Sequence, residues 1–174
     1  MDRSFSGWQV AGFVFTSVTG TLLHFLFDLA GGNPVAALFS AVNESIWEHM
    51  KLIFFPMALF GAVEYRFAGK QTEGFWCVKL RGILLALVII PVLYYTYTGA
   101  LGVSADWFNI AIFFIAAGAA YRWETGAVDR PCRMSSGAAV GLIILIGILF
   151  GVFTFWPPRI PLFRDPVTGS YGYI

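Results

Sequence analysis

The stretch NESIWEHMKLIFFPMALFGAVEY, residues 43–65, decides how this chain is read. Its uninterrupted apolar run is Leu52 to Val63, 12 residues. As a helix that run is about 18 Å long, well short of the roughly 30 Å of hydrocarbon in a bilayer. Residues 44–51 must complete a crossing. Two carboxylates, a histidine and a lysine then sit at or just below the interface, where a charge facing lipid costs several kcal/mol. They are expected to face the bundle interior and to pair. Glu44, Glu48 and Lys51 share a helical face at i, i+4 and i+7, and His49 lies about 100° round from Glu48.

Four further apolar stretches of crossing length flank this one, at about 7–29, 76–98, 105–123 and 137–156. The five spans use most of the 174 residues, so the chain reads as a single transmembrane domain, 1–174, with a tail at 157–174. Residues are 58% apolar and 12% charged, against roughly 25% charged in a soluble domain. Mean hydropathy is +0.74. The fold class is all-α: an integral membrane bundle of five transmembrane helices. The first apolar run is of full spanning length, so it is expected to be a helix of the bundle and not a signal peptide. Gly31, Gly32, Asn33 and Pro34 break it. Residues 34–42 are too short to cross and read as a short interfacial or re-entrant helix, with Asn33 as N-cap and Pro34 at its first position. Pro91 is expected to kink the third span.

With the N-terminus inside, Arg3, Arg66, Lys70, Lys79, Arg81, Arg122, Arg130 and Arg133 lie on the inner side. Lys51, Arg159 and Arg164 lie outside. Eight against three gives N-in, C-out by the positive-inside rule. Cys77 and Cys132 then both face the cytosol, where thiols are expected to stay reduced. A net charge of +1 gives no argument for nucleic acid as a partner. No phosphate-loop, dinucleotide-binding, zinc-protease or hydrolase signature is present.

This topology gathers polar residues at the outer end. The first span contributes Ser17, Thr21, His24 and Asp28, which line one helical face. Helix capping accounts for Asn43, Ser45 and one glutamate of the second span. It does not account for the second glutamate, His49 and Lys51 opposite His24 and Asp28. Both histidines of the chain fall in this cluster. His24, Glu48 and His49, with Glu44 and Asp28, are donor types for one divalent ion: zinc, iron or manganese. The same residues suit acid–base chemistry without metal, with His24, Glu48 and His49 as the catalytic groups. They also suit a proton or cation pathway. Lys51 is expected to balance charge or to bind an anionic head group. Asp106 and Arg164 are candidates to join from the fourth span and the tail, which either caps the outer mouth or lies on the membrane surface.

On the inner side, Glu64, Arg66, Lys70, Glu73, Lys79, Arg81 and residues 124–133 read as solvated loop charges without chemistry. Gly137-x3-Gly141 and Gly147-x3-Gly151 suit close helix packing within the chain, or a homo-oligomer seam. Residues 33–36 resemble the half-helix of aquaporin-like channels, but there is no second copy to complete an inverted repeat.

Residues 43–56, with HFLFD (24–28) and PLFRDPVTGSYG (161–172), resemble a family of small uncharacterised prokaryotic multi-pass membrane proteins. That resemblance covers nearly the whole chain and implies a prokaryotic cell membrane location, but no function. The residue types are also similar to those of intramembrane metal-dependent lipid hydrolases. Five spans in place of seven, and no paired-histidine motif late in the chain, depart from that pattern, and no residue role is carried over. The leading expectation is a membrane-embedded, metal-dependent enzyme acting on a lipid or amphiphile from the outer leaflet. The alternatives are a small proton- or cation-coupled transporter or channel protomer, and a non-catalytic membrane subunit. A transporter needs polar groups continuing to the inner face, and the inner halves of the last three spans read as apolar.

Overall fold

The computed structural model describes residues 3–127 and 132–173. Within them are α1 (Arg3–Leu29), α2 (Pro34–Ala37), α3 (Ile46–Phe67), α4 (Phe75–Leu101), α5 (Asp106–Ala127) and α6 (Ser136–Phe155). Short 3-10 turns occupy Gly69–Gln71 and Pro161–Phe163. Among the described residues there is no strand, only an isolated bridge between Arg164 and Tyr171. Four helices, α1, α3, α4 and α6, are long and apolar enough to cross a membrane. α5 also has 22 residues, but Asp106, Asn109, Arg122 and Glu124 dilute its ends.

Local chemistry sets the boundaries. Asn33 Oδ1 accepts from Val35 N at 2.8 Å and Pro34 takes the first helical position, so α2 starts as expected. It ends at Ala37, shorter than the apolar run suggests. Ser45 caps α3 by accepting from Glu48 N at 3.4 Å. Asn43 instead accepts from Ser45 N at 2.9 Å, so α3 begins at Ile46 and Glu44 lies outside it. α4 runs unbroken through Pro91 and stops at Gly102, whose φ of +71° side-chain-bearing residues rarely adopt.

α3 is the central helix and packs against α1, α4 and α6; α5 closes the bundle between α1 and α4. Ile53, Phe54, Met57 and Phe60 of α3 form the core with Ile83 and Ala86 of α4 and Ala116, Ala117 and Ala120 of α5. The small residues of α5 therefore serve packing within the chain. In α6, a Cβ added at Gly147 would meet Phe54 and one at Gly151 would meet Leu38, whereas at Gly137 and Gly141 it would meet nothing within 4 Å among the described residues. Large aliphatic residues stand exposed in a row on α1, at Val10, Val14, Val18 and Leu22. A second row on α6 comprises Ile144, Leu145, Ile148 and Val152. Contiguous apolar surface of this kind needs a cover other than water.

The tail folds over one end of the bundle. Tyr173 N donates to Thr154 O at 2.7 Å, Asn43 Nδ2 to Gly172 O at 3.2 Å, and Tyr173 Oη to Gly32 O at 3.0 Å. Phe163 packs at a tilt against Trp47, which also meets Phe150. The tail therefore packs on the end of the bundle that carries Gly32, Asn43 and Thr154.

Cys77 and Cys132 are joined in a disulfide, with Cα atoms 6.4 Å apart. The expectation of two free thiols is corrected. The hairpin between α3 and α4 carries Cys77 to the start of α6, where Cys132 lies.

Candidate functional site

The polar residues at the end of the bundle that carries Glu44 separate into two groups, and the cap at Ser45 is the reason. Glu44 precedes the helix and points out, so it does not continue the Glu48–Lys51 face. Glu44 is about half exposed and meets both histidines. His49 Nε2 lies 3.4 Å from Glu44 Oε2, and His24 Nε2 lies 3.9 Å from Glu44 Oε1. The two rings are 5.5 Å apart. His49 Nδ1 lies 2.9 Å from Ser45 O, which makes it the protonated nitrogen and turns Nε2 toward Glu44. Among the described residues, His24 Nδ1 is buried without a hydrogen-bond partner. Glu44 also borders an open recess of about 270 Å³, lined with Phe27, Asn43, Asp165, Thr168 and Ser170.

The second group is closed. Lys51 and Glu48 are wholly buried, with Nζ 2.5 Å from Glu48 Oε2. Lys51 Nζ donates to Ala37 O at 2.7 Å and Thr154 Oγ1 at 2.8 Å. Glu48 accepts from Thr154 Oγ1 at 2.9 Å and Val42 N at 3.1 Å. Three donors on the ammonium meet three acceptors, so the knot ties α2, α3, α6 and the 38–45 loop with nothing left over. Lys51 reaches no surface here and its counter-charge is Glu48.

The five expected ligands are thus not brought to one point. His24, Glu44 and His49 are together, Glu48 is in the buried knot, and Asp28 is exposed one turn beyond His24. Among the described residues, no three His, Cys, Asp or Glu side chains are arranged to hold a metal ion. Asp106 is exposed at the start of α5. Arg164 is exposed on the tail, beside Gly169. Among the described residues neither has an ion-pair partner. Asp165 rather than Arg164 borders the recess, and it is held by Val167 N and Thr168 Oγ1 at 2.8 and 2.6 Å.

A third group lies at the other end of the bundle, and it corrects the reading of the inner charges. Arg66, Lys70, Glu73 and Arg81 are exposed as expected, but Glu64, Lys79 and Glu124 are buried. Lys79 Nζ lies 2.5 Å from Glu64 Oε2 and 2.6 Å from Glu124 Oε2. Gln9 of α1 completes the group: its Oε1 accepts from Lys79 at 3.3 Å and its Nε2 donates to Glu64 Oε1 at 2.6 Å. The Phe75 and Tyr121 rings face the ammonium at 5.5 and 5.4 Å. Thr16 Oγ1 meets Tyr121 Oη at 2.8 Å. Residues 128–131 of the inner charges lie outside the described residues. The signal for this group was helical phase. Gln9, Gly12, Thr16 and Gly20 on α1, and Ile53, Met57, Phe60 and Glu64 on α3, continue the buried stripes at three- and four-residue steps.

The chain belongs to a family of unknown function (DUF6512), whose model matches residues 2–173. No curated protein and no solved structure matches it.

Proposed function

We propose that this member of the family is an integral membrane protein of five spans, α1, α3, α4, α5 and α6, acting at its outer end on a lipid or other amphiphile. Each helix is at least 20 residues, about 30 Å, and the exposed aliphatic rows of α1 and α6 suit hydrocarbon. Lys51 and Lys79 are buried and drop out of the loop charge count, which leaves seven against two in favour of an inner N-terminus. Membrane lipid is the first partner in this reading. A second copy against Gly137 and Gly141 is the proposed homo-oligomer contact.

One observation carries the chemistry: two imidazoles face the two oxygens of one accessible carboxylate at the rim of an open recess. A neutral imidazole takes a proton from water or a substrate hydroxyl, Glu44 stabilises the imidazolium, and the second imidazole is placed to return a proton. The donor types also suit a divalent ion, because separations of 3.4 and 3.9 Å are long for direct hydrogen bonds and leave room for one cation between the groups. The test uses purified protein in phospholipid vesicles, with lipid products read by mass spectrometry. Wild type is expected to turn over lipid, and His49→Ala to lower the rate by about 10²- to 10⁴-fold. No turnover in wild type, or wild-type rates in His24→Ala and His49→Ala, sinks the reading. Elemental analysis of the same samples reads the metal question. One equivalent lost in both variants moves the site to metal chemistry.

In this orientation the Cys77–Cys132 bridge stands on the inner side, the side of cellular reductants, with Cys77 itself wholly buried. Alkylation in denaturant after acid quenching of intact cells is therefore expected to label both cysteines, and purification in air to close the bridge. A pair still unlabelled after that denaturing step would place that end in an oxidising compartment and reverse the orientation.

A further inference from the structure

The chain contains its own comparison for what a buried lysine group needs. At Glu48–Lys51 one carboxylate meets one ammonium and the polar atoms are all used. At Lys79 one ammonium meets two carboxylates. Glu64 and Glu124 are 0% exposed and Lys79 is 2% exposed, so water does not dilute the imbalance. The groups that face this pair are Gln9 and Thr16 from α1, Glu64 from α3, Lys79 from α4 and Tyr121 from α5. Among the described residues none of them supplies a second positive charge. Among the described residues, Glu124 Oε1 is buried with no hydrogen-bond partner. It lies against the backbone of α4 at Gly82, where an added Cβ would stand 2.1 Å from it. Gly82 is what admits the carboxyl group.

We propose that Glu64 and Glu124, bridged by Lys79, form a binding site for one proton inside the bundle. The step is a plain protonation. A proton from the inner solution adds to a carboxylate oxygen of the pair, Glu124 Oε1 being the free one, and the group goes from one net negative charge to neutral. No other bond changes. Neutrality is what a dry interior requires of ionisable side chains. A carboxyl group that has gained its proton holds Lys79 less tightly than an ionised one, because charge-assisted hydrogen bonds are roughly twice as strong as neutral ones. Occupancy of the site therefore shifts Lys79 from Glu124 of α5 toward Glu64 of α3. Such a site is independent of the outer histidines, and it places polar chemistry in the inner half of a bundle whose sequence reads as apolar there. The two glutamates are one coupled unit, and the proton belongs to the pair.

Infrared spectroscopy of the full chain in lipid vesicles tests this, read at the carbonyl stretch of a protonated carboxylic acid. The titration runs over about pH 5 to 9, where ordinary carboxyl groups are ionised. Wild type is expected to show one such acid per chain at neutral pH, lost at the alkaline end and shifted in heavy water. Glu124→Gln keeps an oxygen for Lys79, so the bundle should fold, and the band should vanish. Glu73→Gln, at an exposed position, should leave it unchanged. A wild-type spectrum with no protonated acid across that range overturns the proposal, whatever the variants do. So does a band that survives in Glu64→Gln and Glu124→Gln alike, or one that sodium in place of choline abolishes, because the pair would then hold a metal cation.

Discussion

Lys51→Met is expected to lower the unfolding free energy by about 3–5 kcal/mol, the range for removing one partner of a buried ion pair. The methionine fills much the same volume, so the loss is electrostatic and not a cavity. Glu48 would remain 1% exposed with Thr154 Oγ1 and Val42 N as its only donors. Ala37 O would lose its 2.7 Å donor, and Thr154 would lose its link to the ammonium. α2, the 38–45 loop and the end of α6 meet at this lysine, so the tail cap should loosen with it. Thermal unfolding in detergent, followed by circular dichroism, measures the cost. Adding Glu48→Met should restore much of the stability, since a buried pair replaced by apolar residues is often neutral or better. A single substitution costing under about 1 kcal/mol would show Lys51 to be solvated and the knot to be no lock.

How much of this was legible in the sequence depends on the range of the contact involved. Composition and run length gave the helices, and Asn33–Pro34 gave the start of α2, because those signals act over a few residues. The pairing of His24 with residues 43–51 was also legible, since adjacent spans and one shared end suffice for it. The separation of Glu44 from Glu48 turned on a single cap. Asn43 and Ser45 both suit that role, and choosing Ser45 moves the helix start by enough to send Glu44 outward. The group at Lys79 is invisible to run length and needs helical phase. Glu64, Lys79 and Glu124 each lie near the end of a long helix, where a charge is commonly solvated. Only the buried stripe on each helix shows that they point in. The tail was not legible in that way. Asn43 and Gly172 are 129 residues apart, and nothing local announces their hydrogen bond.

The second lysine reads the charge of the inner group. Lys79→Met removes the one ammonium between Glu64 and Glu124. With a proton on the pair, the substitution strands a single negative charge, as Lys51→Met does at Glu48. The two variants should then cost similar amounts near neutral pH, about 3–5 kcal/mol each. Without that proton Lys79→Met strands two charges at close quarters, and its cost should clearly exceed that of Lys51→Met. The comparison is internal: both lysines are buried in the same bundle, both become methionine, and one unfolding assay serves for both. Its rescue is also distinct. Glu124→Gln added to Lys79→Met should recover little if Glu124 already carries the proton, whereas Glu64→Gln should recover most of the loss. A double-mutant cycle over these positions gives the coupling directly. Equal rescue by either glutamine would mean that the proton is shared evenly. Full rescue only by both together would mean that two charges had been stranded and that the site holds no proton at neutral pH.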